Sequence, residues 1–264
     1  DSYAIIREQP APRRFDFRSE SAIDDYFSQV PPIPAEIYSQ AFEHIRILRD
    51  KYRDVFISVN CGAPGLGIEG LSAADALCAV VENPDLVRYC LFKNMHLFLN
   101  WARVAQQSGA DALIISESYV YACDTISPQL FARVMLDVLK FCYTELRRIN
   151  ILGIGYLLGN INPLIKYINQ VSFNGVMIEE SKKGFVLDPV ELRKQILPEI
   201  TLFGNLDSAM LCHGTQEEIL RETCRQLPAA QTGQLAMING SPLILGTPEA
   251  NIKTFLNTIR NFKR

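Results

Sequence analysis

Six mainly apolar segments, each followed by a stretch with helical periodicity, constrain the fold of this chain more than any other feature of its sequence. The segments lie at residues 55–60, 112–116, 151–158, 175–179, 201–205 and 235–238. Strands that are covered on both faces are apolar almost throughout, as these are. Alternating strands and helices predict a parallel sheet with right-handed crossovers. Six such units suit either a doubly wound sheet or a barrel that lacks two units.

The helices between these strands carry start signals. Asn83-Pro84 and Ser127-Pro128 each place a capping residue before a proline at the first helical position. The predicted helices span residues 35–52, 72–81, 85–107, 127–148, 162–169, 189–195, 217–226 and 248–261. Residues 1–34 are rich in proline and charge, and we expect an extended lead-in with one short helix near residues 22–27. Residues 35–264 are predicted to form one parallel (β/α) domain.

Charge, hydropathy and cysteine content indicate which classes of binding partner and which cellular compartment to expect. The 264 residues carry a formal net charge of −3 without a long run of Lys or Arg, so we expect no nucleic-acid partner. The apolar runs are far shorter than the roughly 20 residues that span a bilayer, so we expect no membrane partner. Seven cysteines without a C-x-x-C motif predict reduced thiols in a cytoplasmic protein.

Polar residues follow every predicted strand, at the edge where a parallel sheet gathers its chemistry. The set comprises Asn60, Cys61, Glu117, Ser118, Tyr119, Gly159, Asn160, Glu179, Glu180, Asn205, Asp207, Asn239 and Ser241. We expect these groups to converge on a common hollow that binds a small-molecule substrate. The alternative is that each Asn, Asp or Ser only caps the next helix or forms an Asx turn.

Glu117 and Glu179 are the acid/base candidates at this edge. Desolvation at an apolar mouth, or a second carboxylate close by, moves the pKa of a carboxyl group toward neutral pH. A group tuned in this way can transfer protons during catalysis. The alternative is that each carboxylate is paired with Arg or Lys.

Neither a metal site nor a cofactor is predicted. The three histidines, His44, His96 and His213, do not form H-x-C or H-x-x-x-H motifs. The glycine-rich segment at residues 61–70 contains neither G-x-G-x-x-G nor G-K-[ST], the motifs that cradle phosphates. A flexible loop over the pocket is the favoured interpretation of this segment.

Several motifs, in this order and spacing, resemble the uroporphyrinogen decarboxylase superfamily. They lie at residues 107–112, 116–118, 126–131, 159–160, 204–207, 214–218 and 246–252, and the resemblance covers roughly residues 35–262. It implies an α/β fold of the (β/α)8 TIM-barrel type, with the first two βα units apparently absent from this chain. The superfamily includes cofactor-free decarboxylases of uroporphyrinogen, and zinc-dependent methyltransferases that move methyl groups between corrinoid proteins and thiols.

The chain departs from both branches of the superfamily. The methyltransferases hold zinc with a His-x-Cys-Gly-Asn segment, which here reads Tyr156-Leu157-Leu158-Gly159-Asn160, and their third ligand falls at Ser241. The active-site tyrosine of the decarboxylases falls near Trp101. Their arginines and catalytic aspartate belong to an amino-terminal portion that this chain does not contain.

The resulting prediction is a uroporphyrinogen decarboxylase-like enzyme that decarboxylates an acidic substrate, such as a tetrapyrrole, without a metal. Two alternatives stay open: a zinc-independent corrinoid- or pterin-linked methyltransferase that docks a corrinoid protein, and a non-catalytic member that serves as a binding scaffold. The predicted substrate-binding residues are Asn60, Ser118, Tyr119, Tyr156, Asn160, Asn205, Asp207 and Ser241. A six-stranded remnant exposes two sheet edges, so we expect an oligomer or a longer native chain.

Overall fold

The predicted parallel sheet is present. The computed structural model describes residues 19–30, 35–63, 73–116, 125–181, 184–240 and 242–262. Within these residues the strands are β1 (Ser58–Gly62), β2 (Ala112–Ser116), β3 (Leu152–Leu157), β4 (Gly175–Ile178), β5 (Thr201–Phe203) and β6 (Leu235–Ala236). They pair in sequence order, and every pair is parallel. The six predicted strands and their parallel arrangement are therefore confirmed.

Helices connect the strands, as the sequence predicts. They are α1 (Glu20–Gln29), α2 (Ala35–Ala41), α3 (Glu43–Lys51), α4 (Ala73–Glu82), α5 (Pro84–Gln107), α6 (Pro128–Phe131), α7 (Asp137–Arg148), α8 (Ile165–Ile168), α9 (Pro189–Arg193), α10 (Ser208–His213), α11 (Gln216–Gln226) and α12 (Glu249–Asn261). A π-helical segment at Ala132–Leu136 joins α6 to α7, and short 3-10 turns occupy Asn162–Leu164 and Leu227–Gln231. None of the described helices is long and apolar enough to cross a membrane.

Two helix predictions need correction. The single helix expected at residues 35–52 is divided at Phe42, which has φ −108° and ψ 7° and lies outside helical geometry. Phe42 is buried, and its ring packs against that of Trp101 at a centroid distance of 5.0 Å. The second correction is α10, which the sequence pattern did not predict because six residues are too short to show helical periodicity.

The short helix near the amino terminus is longer than predicted and packs onto the domain. Ile23 of α1 is fully buried. Asp24 lies 2.7 Å from the ammonium of Lys93 on α5 and also accepts a hydrogen bond from the Tyr89 hydroxyl at 2.9 Å. Helix α1 is therefore held against α5 by one apolar anchor and one ion pair.

One face of the sheet packs against the helices and forms the main core. Glycines on β3 let aromatic rings approach the backbone closely. A Cβ atom added at Gly153 would lie 2.6 Å from the Tyr143 ring, and one at Gly155 would lie 2.7 Å from the Phe173 ring. These two rings pack edge to face at a centroid distance of 4.3 Å. Side chains therefore cannot be added on this face of β3 without moving Tyr143 of α7 or Phe173, which precedes β4.

The opposite face of the sheet is concave. Tyr156 of β3 donates a hydrogen bond from its hydroxyl to the Gly240 carbonyl, beyond the end of β6, at 2.9 Å. β3 and β6 are three strands apart, which is about 14 Å along a flat sheet. A tyrosine side chain cannot bridge that distance, so the sheet must curl around a hollow. The fold is therefore a partial barrel rather than a closed one in the described residues.

Candidate active site

Three predicted site residues lie on the concave face at the carboxyl edge of the sheet. Tyr156 pairs with Met177, and Met177 pairs with Phe203. Glu179 and Asn205 follow the ends of β4 and β5. Asn205 donates to the Glu179 carbonyl at 2.9 Å, and Glu179 is close enough to Tyr156 for its charge to raise the pKa of the phenol. The structure therefore places Tyr156, Glu179 and Asn205 around the same hollow.

Glu179 is held by the loop that follows β3. Its Oε2 atom accepts a hydrogen bond from the Gly159 backbone N–H at 2.8 Å. Gly159 has φ +83°, a left-handed conformation that glycine adopts without steric cost. The glycine thus allows the loop to turn its N–H toward the carboxylate, and this contact joins the ends of β3 and β4.

Asn205 serves to hold the backbone at this edge. Its side-chain amide donates to the carbonyls of Glu179 and Leu187, both at 2.9 Å, and the residue is 5% exposed. Because both donors of the Nδ2 amide are used, the side chain fixes the carbonyl of Glu179 and so orients that residue.

The Tyr156 hydroxyl stays protonated at neutral pH. Burial raises the pKa of Tyr156 above its ordinary value, and the negative charge of Glu179 raises it further. The half-buried phenol is therefore a neutral hydrogen-bond donor that lies near a carboxylate. Because its one proton is donated to Gly240, the hydroxyl can accept a hydrogen bond from a ligand while the carboxylate exchanges a proton with that ligand.

Asn160 and Asp207 make the capping contacts that the sequence left open as the alternative. Asn160 Oδ1 accepts hydrogen bonds from the backbone N–H and the side-chain amide of Asn162, at 3.2 Å and 2.9 Å. Asp207 Oδ1 accepts from the N–H groups of Ala209 at 2.6 Å and Met210 at 3.4 Å, and so caps α10. Both side chains are partly exposed.

On the first two strands, Asn60 accepts a hydrogen bond from the Ser116 hydroxyl at 3.0 Å. Asn60 and Ser116 lie on the same face of the sheet, because Asn60 pairs with Ile114 and Gly62 with Ser116. The predicted residues Glu117, Ser118, Tyr119 and Ser241 lie outside the described residues.

Glu180 belongs to the polar set of the sequence analysis, which gave it neither a catalytic nor a binding role. It is 2% exposed, and its Oε1 atom accepts a hydrogen bond from the Ser208 N–H at 2.7 Å. The signal was the pair of consecutive glutamates after β4. Strand alternation turns the first toward the hollow and the second toward α10.

Apolar side chains line the hollow beside these polar groups. Met177 and Phe203 are partly buried on the concave face, and the Phe203 ring lies over Gly175, where an added Cβ atom would come within 2.6 Å of it. Within the described part of the chain, no group of three or more His, Cys, Asp or Glu side chains is arranged to hold a metal ion.

A parallel α/β sheet that curls around a hollow, with a carboxylate and a phenol at its carboxyl edge, belongs to the class of (β/α) barrels. The model of the uroporphyrinogen decarboxylase (URO-D) family matches residues 13–262, so the chain belongs to this family. The resemblance seen in the sequence is confirmed.

Two known proteins resemble this chain, one in sequence and one in fold. A uroporphyrinogen decarboxylase from Granulibacter bethesdensis is 25% identical over 183 residues, which are 67% of this chain and 50% of that protein. A methyltransferase from Methanosarcina mazei has a TM-score of 0.72 at 22% identity and covers 86% of this chain and 66% of its own. This second likeness concerns the fold alone. The chain spans half the length of the first relative.

Proposed function

We propose that this protein is a uroporphyrinogen decarboxylase-like enzyme that removes CO2 from an acidic small molecule without a metal. The single observation that carries the proposal is the neutral Tyr156 hydroxyl near the Glu179 carboxylate on the concave face. Membership of the family and the likeness to a named decarboxylase support it. The residues at the zinc-ligand positions of the methyltransferase branch, Tyr156 and Leu158, also favour a reaction that uses no metal.

The proposed reaction breaks the bond between the substrate carbon and its carboxylate. CO2 leaves, the bonding electron pair stays on the carbon, and a proton adds there. The Glu179 carboxyl group relays this proton from solvent to the carbon. The Tyr156 hydroxyl, whose proton is donated to Gly240, accepts a hydrogen bond from the substrate and orients it. The substrate-binding roles of Asn60, Ser118, Tyr119, Asn160, Asn205, Asp207 and Ser241 remain part of the proposal.

The test is CO2 release from uroporphyrinogen and from smaller aromatic carboxylates. Glu179→Gln keeps the size of the side chain and the acceptor for Gly159 but cannot transfer a proton. We expect kcat to fall by about 100-fold or more. Glu191→Gln is the matched control, because Glu191 is exposed on α9 and its carboxylate lies 2.6 Å from the ammonium of Lys194 on the same helix. Undiminished turnover in Glu179→Gln would remove the proposed acid/base role.

Glu117 is the second acid/base candidate, and the same substitution there separates the two. If Glu117→Gln loses turnover while Glu179→Gln retains it, proton transfer belongs to Glu117. Binding of the tetrapyrrole without CO2 release by the unaltered protein would favour the non-catalytic scaffold instead.

Methyl transfer is the second candidate function, favoured by the apolar lining of the hollow. Met177 and Phe203 offer a surface for a bulky or apolar methyl carrier, and the proposed partner is a corrinoid protein. Methyl transfer is tested with free methylcobalamin and a thiol. Loss of the methyl group from the corrinoid is monitored through its visible spectrum. Demethylation without any CO2 release would replace the decarboxylase proposal.

A further inference from the structure

The buried Glu180 occupies a junction between three structural elements. It follows β4, its carboxylate reaches the start of α10, and its carbon chain packs against Gly240 beyond β6. A Cβ atom added at Gly240 would lie 2.5 Å from Glu180 Cγ and 3.0 Å from its backbone nitrogen. Only a residue without a side chain fits beside Glu180 at this point.

Gly240 is in turn the hydrogen-bond acceptor for Tyr156. Its N–H donates to the Leu206 carbonyl at 3.0 Å, and its own carbonyl accepts from the Tyr156 hydroxyl at 2.9 Å. The Gly240 peptide is thus fixed by Leu206 through its N–H and by Glu180 through packing. Glu180 therefore lies behind the peptide that receives the tyrosine hydroxyl.

Helix α10 explains why this position carries a carboxylate. The first N–H groups of a helix lack partners within the helix and interact favourably with negative charge. Asp207 accepts from the N–H groups of Ala209 and Met210, and Glu180 accepts from that of Ser208. Replacement of the Glu180 carboxylate by an apolar side chain is therefore costly, because the buried Ser208 N–H would lose its acceptor.

We propose that Glu180 is a positioning residue that fixes Gly240 and, through it, the orientation of the Tyr156 hydroxyl. The expected effect of Glu180 on turnover rests on the proposed function, whereas its expected effect on the position of Tyr156 does not. Glu179 and Glu180 then serve the same site from opposite faces of one strand end. Glu179 contacts the substrate, whereas Glu180 acts through Gly240.

The experiment follows Tyr156 directly by fluorine NMR of protein labelled with 3-fluorotyrosine, with the signal assigned by Tyr156→Phe. Glu180→Gln retains the size of the side chain and an oxygen acceptor for Ser208. We expect its Tyr156 signal to coincide with that of the unaltered protein. Glu180→Leu removes the acceptor, and we expect the Tyr156 signal to move or to split. Glu217→Leu, an exposed change on α11, is the control and should leave the signal in place.

Gly240→Ala provides a second route to the same result if Glu180→Leu does not fold. The added methyl group must displace the Gly240 peptide from Glu180, so the Tyr156 signal should move as well. An unmoved Tyr156 signal in folded Glu180→Leu or Gly240→Ala would overturn the proposal.

Turnover adds a separate readout once a reaction is known. We expect Glu180→Leu to lower kcat about tenfold or more with little change in KM, because a misplaced Tyr156 hydroxyl misorients the bound substrate in the transition state. Rescue of kcat in Glu180→Gln distinguishes positioning from proton transfer. If no reaction is found but the Tyr156 signal moves, the positioning role stands and the proposed function fails.

Discussion

At the scale of single residues, the side chains divide into those that face the hollow and those that hold the backbone around it. Tyr156 and Glu179 face the hollow with groups that can act on a ligand. Asn205 and Glu180 are more deeply buried and use their polar atoms on the backbone. The chemistry of the site therefore depends on buried amides and carboxylates that need not touch a substrate.

Arg193 performs a comparable structural role at the opposite end of the sheet. It is 2% exposed, and burial lowers the pKa of its guanidinium. Its guanidinium donates to four backbone carbonyls, those of Ile196, Leu197, Ile200 and Gln234. These contacts tie α9 to the starts of β5 and β6.

Replacement of Arg193 should destabilise the fold strongly. Arg193→Met keeps much of the volume but leaves the buried carbonyls without donors, so we expect the free energy of unfolding to fall by about 3 kcal/mol. Urea unfolding followed by circular dichroism measures this loss. Arg221→Met, an exposed change on α11, should cost less than about 0.5 kcal/mol. A loss below about 1 kcal/mol in Arg193→Met would show that water replaces the guanidinium.

At the scale of elements, the strand–helix order was predictable, and β2 lies at the predicted residues. The start of β1 was not predictable from hydropathy. The Ile57 N–H donates to the Asp111 carboxylate at 2.7 Å, and the Val55 carbonyl accepts from Arg49 at 3.1 Å. The side chains of Asp111 and Arg49 therefore form hydrogen bonds with backbone groups that a longer β1 would have paired with another strand.

The candidate site was predictable in part. The polar residues after β3, β4 and β5 lie together. This proximity could be predicted, because consecutive strands of a parallel sheet place their carboxyl ends at the same edge. The sequence could not show which polar groups turn away from the hollow. Asp207 carried the signal of a helix cap, but α10 was too short to be recognised behind it.

Helix α11 offers a test of local stability that leaves the site intact. The Thr215 hydroxyl accepts from the Glu218 N–H at 3.2 Å, and Glu218 accepts from the Thr215 N–H at 2.8 Å. Thr215→Ala should lower the free energy of unfolding by about 1 kcal/mol, measured by urea unfolding. Thr144→Ala, in the exposed middle of α7, should not destabilise because alanine is the better helix former. Equal stability of both variants would contradict the reciprocal cap.

At the scale of the whole molecule, β1 and β6 are the edges of the sheet in the described residues. Residues of β1 alternate between exposed and half-buried, whereas β2 and β4 are mostly buried. Exposed parallel edges offer unpaired backbone groups to other strands. The concave face shares this exposure, with Leu152 of β3 42% accessible.

We predict that further chain or a second subunit covers these edges in the native protein. Native mass spectrometry of the protein from its natural source should give a mass above the 29.7 kDa of this chain. Hydrogen exchange should show protected amides along β1 in that assembly. A stable monomer of 29.7 kDa with rapidly exchanging β1 amides would contradict the prediction.

The glycines of β3 bear on how a protein of this architecture can acquire a different reaction. The rings of Tyr143 and Phe173 occupy the space that side chains at Gly153 and Gly155 would need, so mutation cannot readily place new functional groups there. The alternate positions of the same strand, Ile154 and Tyr156, open toward the hollow. New functional side chains on this strand can therefore arise only at every second residue, while the intervening positions must stay small to accommodate the aromatic rings.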